Sequence, residues 1–406
     1  MALSKLRAFV GRTLQRLVGT DIPLDKVLFG SQGGGRTTNQ WAYDMDDPAL
    51  PSLPIARWPH VLLLEDHQRL GDAVFDDAHF FDTAYFRNAW RCIEAYHHFT
   101  WCRNREQIRE AARWFVARFR DEHVIEAGDT RAATSHPGAP VIVRRVRDSD
   151  YLQACDGHHR LAIAYARGQK TIRGHINPWP RVHTPAQQYL LEVDRHRGRR
   201  QCLQPVIECP EVSGWPVMRR CVDRLGMMRA CLDTSGLGGE NGRTFLDVEC
   251  GFGWFVREMA SLGYDATGIE SNRPCCEIGW HVYGLSRDQL RRACAAELLR
   301  TESRVYDVTA CLGVLQHYLV NFRPVTAQQM LALLDQRTRQ VLFFETVEAH
   351  ETWAGETFSR WTPEYVAQWV REHSNFTKVT ALGRDEDNRP PFAGRFGRTL
   401  FACTRD

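Results

Sequence analysis

The alternation of strand-like and helix-like segments after residue 236 constrains the fold more than any other feature. Six apolar, β-rich segments are separated by stretches long enough to form helices. This arrangement is typical of a parallel sheet, because each crossover helix returns the chain to the same edge. We therefore predict an α/β domain over residues 236–406. In chain order the strand candidates are TFLDVEC from residue 244, DATGIES from 265, a further short strand, YDVTACLG from 306, QVLFFET from 340, FTKVTALG from 376 and TLFACTR from 399.

The charge and cysteine content exclude several classes of protein. The 406 residues carry 52 Lys and Arg against 49 Asp and Glu, a balance that argues against a nucleic-acid binder. No apolar run approaches the ~20 residues of a membrane-spanning helix. The 13 cysteines contain no C-x-x-C pair, which favours a reduced, cytoplasmic protein. Nearly all the basic residues are arginines, which fits either genome composition or a need for bidentate phosphate donors.

Composition divides the chain into four regions. We predict an amphipathic helix (residues 5–19) and a Gly-rich connector over 1–50, and a compact domain over 51–200. A linker helix is expected over 201–235, before the α/β domain. The basic amphipathic helix is suited either to the inner face of a membrane or to docking on protein, and both alternatives stay open.

A strand candidate runs into a glycine-rich turn in FLDVECGFGWF, residues 245–255. Gly251 and Gly253 let the backbone approach a ligand closely at the N-terminus of the next helix. Glu270 ends the following strand, where a carboxylate can accept hydrogen bonds from ribose hydroxyls. Together with the later LGVLQHY segment, these features predict a cofactor site.

These residues resemble a class I S-adenosylmethionine-dependent methyltransferase, whose first motif commonly reads LDVGCGxGxF. The resemblance covers about residues 213–406 and implies a Rossmann-like sheet that binds S-adenosylmethionine. It implies that Asp247, Gly251 and Gly253 border the methionine part of the cofactor. It also implies that Glu270 holds the ribose.

Glu249 departs from that motif, which has glycine at this position. A side chain there needs a backbone conformation that glycine adopts more freely. Its carboxylate would repel the carboxylate of the cofactor and attract the ammonium. We count Glu249 among the cofactor-binding residues, and a degenerate, purely structural domain is the alternative. By the same resemblance, Gly313 in LGVLQHY faces cofactor and substrate, and Glu297 is the candidate for reading the adenine.

Two residues are candidates for the general base of methyl transfer. His317 lies in LGVLQHY, and it is either a catalytic base or a helix-cap residue that lines the pocket. Glu345, at the end of the fifth strand, points toward the same edge of the sheet. Neither is required, because holding an acceptor in line with the methyl group often suffices.

A second cluster, in the N-terminal half, follows a strand and begins a helix. Backbone N–H groups, the helix dipole and a guanidinium all favour an anion there, so we predict a phosphate site. Arg144 and Arg145 on the preceding hairpin are expected to assist. A plain helix cap is the alternative, and a metal site is disfavoured because adjacent helical residues point about 100° apart. The cluster consists of Asp156, Gly157, His158, His159 and Arg160.

The surrounding residues 140–172 resemble the ParB/sulfiredoxin superfamily, some members of which are phosphotransferases. The resemblance implies an α+β domain, here with a helical insertion at 76–120, that binds a nucleotide and, in the kinase alternative, ATP with Mg²⁺. Phosphoryl transfer also needs a carboxylate near the acceptor. Glu65 and Asp66, after a strand predicted at 61–64, are the catalytic candidates.

Three functional hypotheses follow. The first is a bifunctional enzyme that methylates an oxygen and binds or transfers phosphate. It is analogous in domain logic to kinase–methyltransferases that cap bacterial surface polysaccharides. The second is a single-activity methyltransferase of carbohydrate or secondary metabolism with a ParB-like recognition module. The third is a nucleotide-dependent scaffold. The expected partners are a small-molecule or glycan acceptor and a nucleotide, and no nucleic acid.

Overall fold

A computed structural model describes residues 19–32, 37–121, 141–193, 199–239, 242–320, 324–351 and 353–405. The chain divides into two compact units, drawn from residues 1–188 with 207–214 and from 189–206 with 215–406. The predicted amphipathic helix lies outside the described residues except for its last residue, and so does the glycine run at 33–35.

The described part of the first unit has a five-stranded mixed sheet. Its strands are β1 (Thr20–Pro23), β2 (Val27–Leu28), β3 (Val141–Val146), β4 (Leu152–Asp156) and β5 (Thr171–Val182). The order is β1-β5-β3-β4-β2. The predicted hairpin is confirmed, since β3 and β4 are antiparallel with Val143 opposite Ala154. β1 and β2 come from the region predicted as connector, and their buried Ile22 and Leu28 explain why they join the sheet.

Helices surround this sheet. They are α1 (Thr38–Asp44), α2 (Pro59–Leu70), α3 (Asp77–Phe80), α4 (Ala84–Tyr96), α5 (Arg105–Arg120), α6 (His158–Ala166) and α7 (Pro185–Val193), in which the division between the units falls. The helices predicted between residues 76 and 120 are confirmed. The strand predicted at 61–64 is wrong, because these residues lie in α2. Pro59 occupies the first turn of α2, and Val61 and Leu64 are buried on one face at helical spacing.

The described part of the second unit has a seven-stranded sheet. Its strands are β6 (Thr244–Val248), β7 (Asp265–Glu270), β8 (Leu290–Arg292), β9 (Tyr306–Leu312), β10 (Thr338–Glu345), β11 (Lys378–Arg384) and β12 (Thr399–Thr404). The order is β11-β12-β10-β9-β6-β7-β8, and only the pairs made by β12 are antiparallel. The predicted α/β architecture is therefore confirmed. The strand order reverses between β6 and β9, the point at which doubly wound sheets bind ligands.

The helices of the second unit connect these strands. They are α8 (Val222–Thr234), α9 (Trp254–Ser261), α10 (Arg273–His281), α11 (Ala295–Thr301), α12 (Gln316–Leu319), α13 (Ala327–Arg337) and α14 (Pro363–His373). The linker helix predicted within 201–235 corresponds to α8, which packs on β11 and β12 and so belongs to the second unit. All 13 cysteines are free thiols. In the described ranges, no helix combines the length and apolar character needed to span a membrane.

Candidate functional site

The second unit contains a cavity of about 740 Å³ at the carboxyl edge of its sheet. The segments that follow β6, β7 and β9 contribute to its wall, so it lies where the strand order reverses. The structure brings six of the predicted site residues into this wall. They are Asp247, Glu249, Gly251, Glu270, Gly313 and His317.

Gly253 was predicted at the cofactor but does not contribute to the cavity wall. Its φ is +81°, and a Cβ added there would lie 2.6 Å from Leu285 Cδ1. Its N–H donates to the Cys250 carbonyl (3.1 Å). Glycine is therefore needed here for the tight packing at the start of α9, and its contact with the cofactor stays a prediction.

Gln204 lines the cavity and binds the glycine-rich turn. Its Oε1 accepts a hydrogen bond from Phe252 N–H (2.8 Å) and a longer one from Trp254 N–H (3.4 Å). Its Nε2 donates to the Cys250 carbonyl (3.0 Å). The donors that a helix N-terminus ordinarily offers an anion are thus engaged within the protein. Sequence reasoning missed Gln204, because no motif surrounds it.

Glu270 is held by the backbone at the end of β7. Its Oε2 accepts from Gly251 N–H (2.9 Å) and its Oε1 from Asn272 N–H (2.7 Å). Burial raises the pKa of Glu270 to about 7, against the lowering effect of these N–H groups. The carboxylate is consequently fixed in orientation, while each oxygen keeps a further lone pair for a hydroxyl donor.

Asp247 is a buried acid with an unsatisfied oxygen. Only 2% of the residue is exposed, and its Oδ2 has no hydrogen-bond partner among the described residues. Burial raises the pKa of Asp247 well above its ordinary value, and the nearby Glu270 adds to this effect. A buried acceptor without a donor is costly, so this oxygen is suited to a ligand that brings one.

Glu249 has a left-handed backbone conformation, with φ at +52°. Its side chain is partly buried in the cavity wall, and its Oε1 accepts a hydrogen bond of 2.6 Å from Tyr318 Oη. Tyr318 is buried, which fixes the hydroxyl. The non-glycine residue is therefore accommodated at the motif's glycine position, and its carboxylate is oriented.

Glu345 is surrounded by arginines and does not fit the predicted role of general base. It is fully buried and accepts from Arg219, from Arg224 Nη1 (3.2 Å) and from Arg398 Nη1 (3.5 Å). Burial by itself would raise its pKa, but the three guanidinium groups lower that pKa to about 2. A carboxylate that binds protons so weakly cannot remove one near neutral pH.

Two aspartates extend this buried ion-pair network. Asp385 accepts from Arg219 Nη2 (2.9 Å), and Asp387 lies between Arg219 Nε (3.0 Å) and Arg224 Nη2 (2.7 Å). Both arginines also line the cavity. Sequence reasoning missed the network, because its members come from distant segments and carry no spacing signal.

Aromatic side chains line the cavity as well as its carboxylates and arginines. Trp353 is 47% exposed, and its Nε1 donates to the Arg395 carbonyl (3.0 Å). The buried Phe396 and the exposed His317 are also part of the wall. Glu297, the adenine candidate, is instead exposed on α11 and is not part of the wall.

The N-terminal cluster begins α6 as predicted, with Gly157 as the N-cap residue. Asp156 Oδ1 accepts from Gly157 N–H (2.7 Å), and Arg160 is partly buried. Arg144 does not assist at a phosphate, because it is buried and both its Nε and Nη2 donate to Gln153 Oε1 (3.1 and 2.7 Å). Arg145 is exposed.

The two histidines of this cluster pack into an aromatic core. His158 is 8% exposed, and its Nε2–H donates to the Gly30 carbonyl (3.2 Å). His159 meets the buried His60 edge-on, with ring centroids 4.9 Å apart. Burial lowers the pKa of His158 to about 4 and that of His159 to about 3. Both rings are thus neutral at pH 7 and do not supply the positive charge expected at an anion site.

Glu65 and Asp66 lie on α2 and not after a strand. Glu65 is exposed, and Asp66 pairs with Arg69 (2.7 Å) one turn further along the helix. His60 is the residue of α2 that faces the cluster, through His159. Five and six residues beyond His60, the two carboxylates point more than 100° away from that face. The structure therefore does not bring them to the cluster.

Comparison with known proteins identifies methyltransferase homology over 20–23% of the chain. No family model matches the chain. A segment of 84 residues, 20% of this chain, is 31% identical to the ubiquinone biosynthesis O-methyltransferase of Alkalilimnicola ehrlichii and covers 34% of it. A segment of 101 residues, 23% of this chain, is 35% identical to its counterpart in Maricaulis maris and covers 39% of it. The chain thus spans little more than a third of the curated relatives it matches.

Solved structures overlap with this chain only weakly. A crystal structure of WbdD is 17% identical, covers 50% of this chain and 44% of that chain, and has a TM-score of 0.40. Another, described as the bifunctional kinase-methyltransferase WbdD, has a TM-score of 0.39 at 16% identity, over 50% of this chain and 44% of that chain. Magnesium protoporphyrin IX methyltransferase of Synechocystis, with bound SAM, is 15% identical over 45% of this chain and 79% of that chain, at a TM-score of 0.33. Overlaps this weak support no inference about activity.

Proposed function

We propose that the second unit binds S-adenosylmethionine and transfers its methyl group to an oxygen of an acceptor. One observation carries the proposal: the buried Asp247 has an oxygen that finds no hydrogen donor among the described residues, in a cavity at the switch point of the sheet. The homologous segment supports the choice of oxygen, because the curated relatives that match it are named as O-methyltransferases.

The residues of the cavity fit this cofactor. Glu270 would accept hydrogen bonds from the ribose hydroxyls, since its carboxylate is already oriented by two backbone N–H groups. Asp247 and Glu249 would border the methionine part. Gly313 has φ at +69°, which lets the chain after β9 form the opposite wall. S-adenosylmethionine supplies a methyl group activated by its positively charged sulfur.

The remaining residues would bind and orient the acceptor. The three carboxylates of the cavity wall stabilise positive charge where they lie together, while Arg219, Arg224 and Arg398 also line the cavity. Trp353 and Phe396 offer aromatic surface in the wall. His317 is exposed in the same wall, and its role as a base that accepts the acceptor's proton stays a prediction. Alignment alone is the other route to catalysis.

Titration calorimetry with S-adenosylmethionine tests this proposal. We expect the wild-type protein to bind it and Asp247→Asn to bind at least about tenfold more weakly, because the amide places a donor where the cavity offers an acceptor. Glu372→Gln, an exposed change on α14, is the matched control. Transfer of labelled methyl to hydroxyl-bearing acceptors, both glycans and small molecules, then tests the reaction. No binding at millimolar cofactor would refute the proposal.

The other predicted functions can be distinguished by related assays with the same acceptors and cofactor. A phosphotransferase activity of the first unit, a nucleotide site at Arg160 and an acceptor on a surface polysaccharide stay predictions. Labelled ATP with the same acceptors would detect phosphate transfer, and methylation without it would favour a recognition module. Cofactor binding by Glu249→Gly but not by the wild type would favour a scaffold with a degenerate site.

A further inference from the structure

The backbone at Glu249 is in a conformation that side chains disfavour. A left-handed φ at a residue other than glycine is energetically unfavourable, and such strain concentrates at functional sites. Glycine would remove this strain, and the motif commonly has glycine at this position. The strained residue places a carboxylate in the cavity wall, oriented by Tyr318 Oη at 2.6 Å.

The glycine-rich turn beside Glu249 is unsuited to an anion. The N–H groups of residues 251–254 are all hydrogen-bonded within the protein: to Glu270, to Gln204 twice, and to the Cys250 carbonyl. A carboxylate of a ligand would find no free donor at this turn, and it would be repelled by Glu249. The turn therefore favours a positively charged group.

Three carboxylates, those of Asp247, Glu249 and Glu270, line this side of the cavity. Burial raises the pKa of Glu270 and of Asp247; Glu249 adds to the rise at Glu270, Glu270 adds to the rise at Asp247, and Arg224 partly offsets the latter. Independently of charge, only 2% of Asp247 is exposed, and its Oδ2 has no hydrogen-bond donor among the described residues. A ligand group that is both cationic and a hydrogen-bond donor would satisfy both conditions.

We propose that Glu249 binds the ammonium group of the cofactor's amino-acid part and so selects cofactors that carry a free amine. The proposal rests on the proposed function and adds to it a specificity-determining residue. An ammonium has three donors, enough for Glu249 Oε2 and for Asp247 Oδ2. Tyr318 is a positioning residue, because it holds Glu249 through the other carboxylate oxygen.

The test compares S-adenosylhomocysteine with its deaminated analogue, in which hydrogen replaces the amino group. Both lack the sulfonium charge, so the difference in affinity reports the ammonium alone. In the wild type we expect the loss of the amine to weaken binding about 10- to 100-fold, as for a close, partly desolvated charge pair. In Glu249→Gln, which keeps the shape and the acceptor for Tyr318, we expect a difference of less than about threefold. Calorimetry of both ligands with both proteins gives the coupling free energy between Glu249 and the amino group of the ligand.

Two further variants keep the test decisive. Tyr318→Phe leaves the cavity shape intact and should reduce the penalty for deamination to an intermediate value, even if Glu249→Gln does not fold. Glu372→Gln, exposed on α14, should leave the penalty unchanged. An equal penalty in the wild type, Glu249→Gln and Tyr318→Phe would overturn the assignment of Glu249 while leaving the proposed function standing. Failure of the wild type to bind S-adenosylhomocysteine or S-adenosylmethionine would instead overturn both.

Discussion

Glu345 is stabilised by three arginines that come from two separate segments of the second unit, residues 219–224 and Arg398. Its side chain is fully buried, so its charge depends on Arg219, Arg224 and Arg398. Those arginines in turn bind Asp385, Asp387 and Glu351, and Arg398 meets Glu351 with two hydrogen bonds of 2.7 and 3.0 Å. At the scale of residues, this network joins the wall of the cavity to the end of β10.

Removing the charge of Glu345 should therefore destabilise the protein strongly. We expect Glu345→Gln to lower the free energy of unfolding by about 3–5 kcal/mol, because buried guanidinium groups lose part of their compensation. Urea denaturation would measure this loss, with Glu372→Gln within about 0.5 kcal/mol of the wild type as the control. A loss below 1 kcal/mol would show that the neighbouring carboxylates suffice.

The pH dependence of that loss has a definite sign. The pKa of Glu345 falls from an ordinary value of 4.5 to about 2 in the folded protein. Its stabilising contribution is complete above pH 4.5 and is lost only as the pH falls toward 2. The difference between the wild type and Glu345→Gln should thus be the same at pH 7 and pH 5.

At the scale of elements, a covering segment (residues 201–206) orders the glycine-rich turn. It is held by backbone hydrogen bonds to residues 216–219, among them Met218 N–H to the Cys202 carbonyl (2.8 Å) and Arg219 N–H to the Leu203 carbonyl (3.0 Å). This pairing places Gln204 over the start of α9 and Arg219 beside the cavity. The pairing of residues 201–206 with residues 216–219 thus positions two residues of the cavity wall, Gln204 and Arg219.

Gln204→Ala should loosen the turn and weaken cofactor binding. The change leaves Phe252 N–H without its partner, at about 1–3 kcal/mol for a buried group, and leaves the Cys250 carbonyl with Gly253 N–H alone. We expect faster hydrogen exchange in residues 250–256, measured by mass spectrometry, and weaker binding of S-adenosylmethionine. Gln368→Ala, exposed on α14, is the control. Unchanged exchange in 250–256 would mean that the turn is rigid without Gln204.

At the scale of the whole molecule, buried histidines of the first unit and two buried carboxyls of the second respond to acid in opposite ways, and Glu211 of the first unit, whose pKa is raised by burial, responds as those carboxyls do. His60 and His158 in the first unit are neutral in the folded protein, because burial lowers their pKa from an ordinary 6.5. In the second unit burial raises the pKa of Glu270 from 4.5 to about 7 and that of Asp385 from 3.8 to about 6. Acid therefore acts with opposite signs on these two histidines and on these two carboxyls.

Lowering the pH from 7 to 5 should destabilise the first unit and stabilise the second. Below pH 6.5 the unfolded histidines bind protons that the folded ones do not, at up to about 1.4 kcal/mol per pH unit for each. The folded carboxyls of the second unit bind protons that the unfolded chain releases. Hydrogen exchange, corrected for its intrinsic pH dependence, should show less protection at pH 5 in residues 141–166 and more in 244–270. Changes of the same sign in both segments would contradict this prediction.

The part of the site that could be predicted was predicted from local sequence patterns. Asp247, Glu249 and Glu270 lie at the ends of consecutive strands, and parallel strands end at one edge of a sheet. Gln204 and Glu345 have partners 46 to 126 positions away, and no local pattern relates such positions. The placement of Glu65 and Asp66 after a strand was wrong for a related reason. A short apolar run such as residues 61–64 does not by itself distinguish a strand from a buried helix.

By itself, the sequence determined that residues 236–406 alternate strands and helices, that a glycine-rich turn follows β6, and that acidic residues stand at the strand ends. These are properties of periodicity and of local backbone freedom. Only the tertiary structure decided that the N–H groups of the turn are occupied, that Glu345 is a structural anion and that His158 and His159 are neutral core residues. Protonation and hydrogen-bond satisfaction depend on burial and on charges brought together from distant segments, and only the folded chain specifies these.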